Sequence, residues 1–154
     1  MYQWSMPSRE LRYPHQVTDW LHNWGSKLSG PASMILIGSA GLLWHAAKMR
    51  RDDPLPENSM DVDPITDDEA VAELAYDAMI GSEFEREHGW HVNLMPPMVL
   101  QEFNEGWRER ASTALYHMLT VVVPCSADLI AAKMKRNEPR DQAHKAYADA
   151  LQMM

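Results

Sequence analysis

The spacing of apolar residues changes repeatedly along the chain, between the period of a helix and the short apolar runs of buried strands. Helical spacing predicts helices over residues 14–25, 39–51, 66–79, 99–111, 127–136 and 140–153. Short apolar runs predict strands over residues 33–37, 60–65 and 90–95, and one or two strands within 115–123. Strands and helices therefore alternate, which is typical of an α/β or α+β domain in which helices flank a small mixed β-sheet.

The chain length and two capping signals refine this outline. Residues 1–13 show no clear period, and we expect them to be partly disordered, with residues 14–154 forming a single domain. Thr66-Asp67-Asp68-Glu69 matches a capping box, in which a hydroxyl and a carboxylate each accept from the other's backbone N–H. Ser126 has the character of an N-cap for a helix that begins at Ala127.

Composition limits the classes of partner. The formal net charge of −8 argues against an extended nucleic-acid surface and against binding to an anionic membrane. It leaves room for a single nucleotide, whose charge a bound metal can offset. No apolar run approaches the ~20 residues of a membrane span, and the first residues lack the pattern of a signal peptide. We therefore expect a soluble cytoplasmic protein.

Two carboxylates on one predicted strand are the main chemical signal. Residues two apart in a strand project to the same face, so Asp61 and Asp63 project together, with β-carbons roughly 6–7 Å apart, while Val62 points to a core. Such a pair suits Mg²⁺, which takes oxygen ligands and leaves positions for water and phosphate. The spacing alone leaves two interpretations open, a metal site and a solvated polar strand end.

The predicted strand over residues 33–37 ends at Gly38 and Ser39, directly before a predicted helix. A glycine bend at such a junction lets a phosphate approach the backbone N–H groups of the helix N-terminus. The bend precedes the carboxylate strand by about one helix. Together the two segments fit a site for a phosphate and a cation, and the solvated polar strand end stays open as the alternative interpretation.

The order of these motifs resembles the nucleotidyltransferase superfamily. Its small members have a strand, a Gly-Ser turn, a helix and then Ser/Thr-x-Asp-x-Asp, and here the motif reads Ser59-Met60-Asp61-Val62-Asp63 after Gly38-Ser39. The segment 124–133 and the pair Arg140-Asp141 are similar to later segments of bacterial members, including those in toxin–antitoxin systems. The resemblance covers residues from about 33 to about 149 and implies a nucleotidyltransferase-like fold.

The resemblance implies Mg²⁺-dependent transfer of a nucleotidyl group from a nucleoside triphosphate to a protein or RNA acceptor. It implies that the metal is bound and catalysis carried by Asp61 and Asp63, and that the nucleotide is held by Gly38, Ser39 and Ser59. A protein partner, as in a toxin–antitoxin pair, is also expected.

Lys133 and Asp141 complete the expected site. In the resembling proteins both lie near the nucleotide, which implies a catalytic and phosphate-binding role for Lys133 and nucleotide binding for Asp141. The residues themselves allow another interpretation of Lys133. It shares a helix face with Leu129 and Ile130, where a lysine commonly lays its stem on apolar surface and keeps its ammonium group in solvent.

One position departs from the pattern of the superfamily. Its catalytic members usually carry a third carboxylate on a later strand, and the matching position here is Asn93, which shares a face with His91. We expect Asn93 to act as a metal ligand through its amide oxygen, which brings no charge and no general base. The alternative function is a catalytically weakened binding module or scaffold for a partner protein. A structural domain with a fortuitous Asp-x-Asp is a third interpretation.

Overall fold

A computed structural model describes residues 10–56, 59, 61–135 and 139–152, and within them the chain forms a five-stranded mixed sheet flanked by helices. This confirms the expected fold class. The elements in chain order are α1 (Pro14–Lys27), β1 (Ala32–Ile37), α2 (Gly38–Lys48), β2 (Asp61–Ile65), α3 (Glu69–Tyr76), α4 (Glu83–His88), β3 (His91–Val92), a 3₁₀ helix (Pro97–Glu102), α5 (Trp107–Arg110), β4 (Ser112–Tyr116), β5 (Leu119–Val123), α6 (Ser126–Met134) and α7 (Pro139–Gln152). The predictions for residues 1–9, Met60, Arg136 and Met153 lie outside the described residues.

The strand order is β3-β2-β1-β5-β4, so β1 lies at the centre of the sheet. It runs antiparallel to β2 and parallel to β5, while β3 runs parallel to β2 and β4 forms an antiparallel hairpin with β5. Ile37, the last residue of β1, is paired with Asp63 of β2. This register brings the end of β1 beside the predicted carboxylate pair.

Helices cover one face of the sheet. Ala32, Met34 and Leu36 are buried, whereas Ser33 is exposed and Ile35 is half-buried, as expected when alternate side chains of a strand point to opposite faces. α1 and α2 pack against each other, and Trp44 Nε1 of α2 donates a buried hydrogen bond of 2.9 Å to Tyr116 Oη. No helix in the described ranges has both the length and the apolar character needed to cross a bilayer.

The segment before α1 is joined to the loop between α2 and β2. Leu11 is fully buried and forms an isolated antiparallel bridge with Ser59, with backbone N–O distances of 3.0 and 3.1 Å. The backbone N–H groups of Arg12 and Tyr13 donate to Gln16 Oε1, which satisfies two donors at the start of α1. Leu11 is therefore part of the core, and through Ser59 it supports the start of β2.

Three local predictions were wrong. The predicted capping box does not form, because α3 begins at Glu69 and Thr66 Oγ1 accepts from the N–H of Asp68 instead. The predicted helix over residues 99–111 is split into the 3₁₀ helix and α5, since Gly106 adopts a left-handed φ of 85° between them. Ser126 is the first residue of α6 rather than its N-cap, which is Cys125.

Gly25 allows α1 to pack closely on β4. A β-carbon added at Gly25 would lie 2.0 Å from the carbonyl oxygen of Tyr116, which is backbone and cannot move aside freely. We expect Gly25→Ala to lower the free energy of unfolding by about 1–3 kcal/mol, as overpacking typically does. Urea denaturation monitored by circular dichroism measures this loss.

Gly30→Ala is the matched control, because no heavy atom lies within 4 Å of a β-carbon at Gly30. Its effect should stay within about 0.5 kcal/mol, as for ordinary surface substitutions. Equal stability of the two variants would contradict the close packing of α1 on β4.

Candidate active site

A cavity of about 340 Å³ opens where β1 and β2 meet the N-terminus of α2. Its lining includes all the site residues predicted from the sequence except Asp141: Gly38, Ser39, Ser59, Asp61, Asp63, Asn93 and Lys133. These residues come from the start of α2, the loop before β2, β2 itself, the end of β3 and α6, which are far apart in the chain. The fold therefore brings the glycine bend, the carboxylate pair and one lysine into a single concave site.

The glycine bend and the second carboxylate are in direct proximity. Gly38 has a φ of 73°, in the left-handed region that favours glycine, and a β-carbon added there would lie 2.8 Å from Asp63 Oδ2. The register of Ile37 with Asp63 explains this closeness, because it places the bend directly beside the carboxylate. Glycine is therefore favoured at position 38 by the backbone conformation, and a larger residue would also displace the Asp63 carboxylate from its place beside the bend.

Ser59 supports the backbone of the first carboxylate residue. Its hydroxyl donates a hydrogen bond of 2.9 Å to the carbonyl oxygen of Asp61, and Ser59 itself is only 3% exposed. The side chains of Asp61 and Asp63 are partly exposed at the cavity, while Val62 between them is fully buried. This is the alternation that the sequence pattern predicts, and it makes Ser59 a residue that positions Asp61.

Lys133 places its ammonium group inside the protein. The residue is 5% exposed, and its Nζ donates a hydrogen bond of 3.2 Å to Ser39 Oγ in the first turn of α2. Asp141 of α7 is fully buried, with Oδ1 3.7 Å from Lys133 Nζ. The ammonium group is thus not in solvent, and Asp141 lies behind the lysine, where its charge offsets the cost of burying that cation.

Asn93 lies where the resemblance leads one to expect a third carboxylate. Its Nδ2 donates to Asp63 Oδ1 at 3.4 Å, so the amide nitrogen faces the carboxylate. In this orientation the amide nitrogen of Asn93, and not its amide oxygen, is directed at the Asp63 carboxylate. His91, two residues earlier, has its Nδ1 2.8 Å from Glu85 Oε2 and is paired in the sheet with Asp61.

The far wall of the cavity was not predicted from the sequence. Glu102 and Phe103, at the end of the 3₁₀ helix, line the cavity together with Met95 and Val99. The apolar pattern of this segment predicts only a helix over residues 99–111, and the segment carries no motif that signals a binding role. Only the placement of the 3₁₀ helix beside β2 and α6 shows that it contributes a carboxylate and apolar surface.

The residues present fit a single magnesium ion shared with a phosphate. Among the described residues, no group of three or more His, Cys, Asp or Glu side chains is arranged to hold a metal ion alone. Mg²⁺ is commonly held by one or two carboxylates together with water and substrate phosphates, so Asp61 and Asp63 suffice for that arrangement. The cavity also carries Lys133 at the helix N-terminus, where anions are favoured.

Two polar contacts hold α6, which carries Lys133, in place. Arg110 donates from Nε and Nη2 to the two oxygens of Asp128 at 2.9 and 3.0 Å, and these hydrogen bonds lower the pKa of Asp128 below its ordinary value of 3.8. Just before α6, the carbonyl oxygen of Pro124 accepts from His45 Nε2 at 2.7 Å. Burial lowers the pKa of His45, so this imidazole is held in its neutral form.

Replacing Gly38 tests the closeness of the bend and the carboxylate. Both Gly38→Ala and Gly81→Ala introduce a side chain at a left-handed φ, which costs about 1–2 kcal/mol, but no heavy atom lies within 4 Å of a β-carbon at Gly81. We expect Gly38→Ala to be clearly the less stable of the two by chemical denaturation, because its methyl group also meets Asp63. An equal loss in both variants would contradict the contact.

Replacing Arg110 tests the anchor of α6. A carboxyl whose pKa is lowered by folding contributes stability above its ordinary pKa, and this contribution is lost as pH falls through the lowered value. We therefore expect Arg110→Gln to be destabilised at pH 7 and the difference from the original chain to shrink below pH 3.8. Arg86→Gln, which removes an exposed pair with Glu83, is the control and should change little.

Comparison with known proteins agrees with this geometry. A family described as a nucleotidyltransferase of unknown function (DUF6036) matches residues 21–146, which is most of the chain. Searches of curated proteins and of solved structures found no match. The matched range contains every residue of the cavity described above. The chain therefore belongs to this family of nucleotidyltransferases of unknown function.

Proposed function

We propose that the protein transfers a nucleotidyl group from a nucleoside triphosphate to an acceptor hydroxyl, with Mg²⁺ bound by Asp61 and Asp63. The observation that carries the proposal is the convergence of Gly38, Asp63 and Lys133 on one cavity of about 340 Å³. Each group has a distinct task toward a triphosphate. The glycine bend admits a phosphate, the carboxylate requires a cation, and the lysine supplies a fixed positive charge.

The charge balance of the cavity supports a metal-bound triphosphate. Asp61, Asp63 and Glu102 bring three carboxylates to the lining, against one ammonium group from Lys133. A free triphosphate would meet repulsion from these carboxylates, and a divalent cation held by Asp61 and Asp63 would offset that repulsion. Such a magnesium ion would neutralise phosphate charge and help to align the α-phosphorus.

The two ends of the nucleotide fit different parts of the lining. The phosphates fit the N-terminus of α2, where Ser39 and Lys133 lie in contact and backbone N–H groups are available. The base fits the apolar wall formed by Met95, Val99 and Phe103 from one side and Leu129 from the other. This arrangement directs the α-phosphorus toward Asp61 and Asp63.

The transfer itself is a substitution at the α-phosphorus. The acceptor oxygen bonds to that phosphorus, the bond to the oxygen bridging the β-phosphate breaks, and pyrophosphate leaves. Lys133, held by Ser39 and Asp141, is positioned to stabilise the negative charge that develops on the leaving group. Asn93 offers no base, so the hydroxyl proton passes to a carboxylate of the cavity, for which Asp61 and Glu102 are candidates.

Binding of a triphosphate can be measured through stability. At a hundredfold excess over its dissociation constant, a ligand of the folded state adds about 2.7 kcal/mol. We expect a non-hydrolysable ATP or other triphosphate to raise the melting temperature only when Mg²⁺ is present. The double substitution Asp61→Asn with Asp63→Asn should abolish this shift, because it removes both carboxylates.

The matched control is Asp19→Asn with Asp67→Asn, which removes the same charge from two positions outside the cavity. It should retain the magnesium-dependent shift. Transfer of α-labelled nucleotide to the protein and RNA fractions of a cell extract provides the second readout. Labelling that persists with the Asp61→Asn/Asp63→Asn chain would exclude the catalytic proposal.

A catalytically weakened binding module is the second candidate, and Asn93 favours it. Catalytic relatives in the superfamily are expected to carry a carboxylate there, whereas the amide of Asn93 is engaged with Asp63. This candidate predicts magnesium-dependent triphosphate binding without transfer to any acceptor. Restoring the carboxylate with Asn93→Asp should then raise transfer above the level of the original chain.

A further inference from the structure

An exposed apolar cluster lies beside the candidate site. Tyr76, Met79 and Ile80 are 61%, 47% and 67% exposed and fall within five consecutive positions at the end of α3 and in the turn after it. They supply three of the seven large apolar side chains that are exposed in the described ranges. We call these three residues the apolar rim. Contiguous exposed apolar surface of this kind is typical of a binding site for another molecule.

The apolar rim borders a hollow of about 170 Å³, whose other walls include His91, Asn93 and Leu94. Asn93 also lines the candidate active site, so the hollow and the cavity share a wall. The hollow has room for one large apolar side chain and not for a nucleotide base with its sugar and phosphates. A molecule anchored there would lie next to the wall that Asn93 forms with the candidate active site.

The charges around the hollow select among partners. Glu85 lies 2.8 Å from His91, and the carboxylates of the active site lie on the far side of Asn93. A cation near the apolar rim, Arg86, donates to the carbonyl oxygen of Gly81 and is paired with Glu83. The described lining of the hollow contains neither lysine nor arginine. Such surroundings repel a polyanion such as RNA, and they also repel a second copy of a chain with a net charge of −8. They attract a segment that carries positive charge.

We propose that the apolar rim is the docking site of a protein acceptor, which inserts a large apolar side chain into the hollow and carries lysine or arginine on either side of it. The docked segment presents a nearby hydroxyl to the α-phosphorus at Asp61 and Asp63. This assignment rests on the proposed nucleotidyl transfer and deepens it by naming the class of acceptor. Apolar anchoring supplies affinity, and the flanking charges supply orientation and specificity.

Selection from a displayed library of random peptides tests the proposal, because such a library samples many combinations of apolar and charged residues at once. Peptides are selected on the original chain and then measured by fluorescence anisotropy on it, on Ile80→Asp and on Leu115→Asp. The control Leu115 is 70% exposed on β4 and receives the same change. We expect the selected peptides to share an apolar residue flanked by lysine or arginine and to bind Ile80→Asp at least tenfold more weakly, with Leu115→Asp unchanged.

Three results would overturn the docking site. One is a selection that gives no binders, or binders that bind Ile80→Asp as tightly as the original chain. Another is binding of single-stranded RNA to the original chain that the Ile80→Asp substitution abolishes. The last is a dimer, seen by light scattering, that Ile80→Asp converts to a monomer. Before these measurements, thermal denaturation is used to check that Ile80→Asp and Leu115→Asp both keep the original fold.

The outcome is separable from that of the proposed function. Ile80→Asp should keep the magnesium-dependent stabilisation by a triphosphate, because Ile80 lies outside the cavity that holds the nucleotide. Loss of peptide binding with retained triphosphate binding supports the docking site. The opposite result is peptide binding by a chain that binds no triphosphate. The apolar rim would then be a docking surface without nucleotidyl transfer, and the proposal that it docks an acceptor would be overturned.

Discussion

The site depends on one close approach, that of the Gly38 bend to the carboxylate of Asp63. The antiparallel pairing of β1 with β2 places these two residues side by side. Gly38 adopts a left-handed φ there, and its lack of a side chain lets the Asp63 carboxylate lie against the bend. A slip of one residue in this register would turn Asp61 and Asp63 toward the helices and expose Val62. The full burial of Val62 opposes such a slip, so the packing of the core fixes the chemistry at the surface.

The second constraint is the burial of a lysine. Lys133 is stabilised inside the protein by Ser39 and Asp141, and these partners reach it from α2 and α7 while α6 carries it. A buried ammonium group without such partners would be costly and would favour its neutral form. The three helices therefore present a fixed cation at the N-terminus of α2, next to an acid-rich cavity. The proposed binding of a metal–phosphate complex rests on this arrangement of opposite charges.

The sequence predicted those parts that depend on local pattern. The mixed sheet, the bend at Gly38 and the shared face of Asp61 and Asp63 follow from apolar spacing and strand geometry, and the structure contains all three. The contribution of Glu102 and Phe103 depends on where the 3₁₀ helix lies against distant elements, which no local pattern encodes. The burial of the ammonium group of Lys133 likewise depends on Asp141, because the apolar face of α6 alone also fits a solvent-exposed lysine.

The order of the strands in the sheet has a consequence for how the chain folds. The central strand β1 finds its parallel neighbour β5 only after most of the chain is available, and the hydrogen bond from Lys133 to Ser39 joins residues 94 positions apart. Contacts of such long sequence separation form late, because a large loop must close before they are gained. A growing polypeptide that still lacks α6 and α7 therefore presents its carboxylates without their cationic counterpart. The pairing of these carboxylates with a buried cation is in this sense a property of the finished fold.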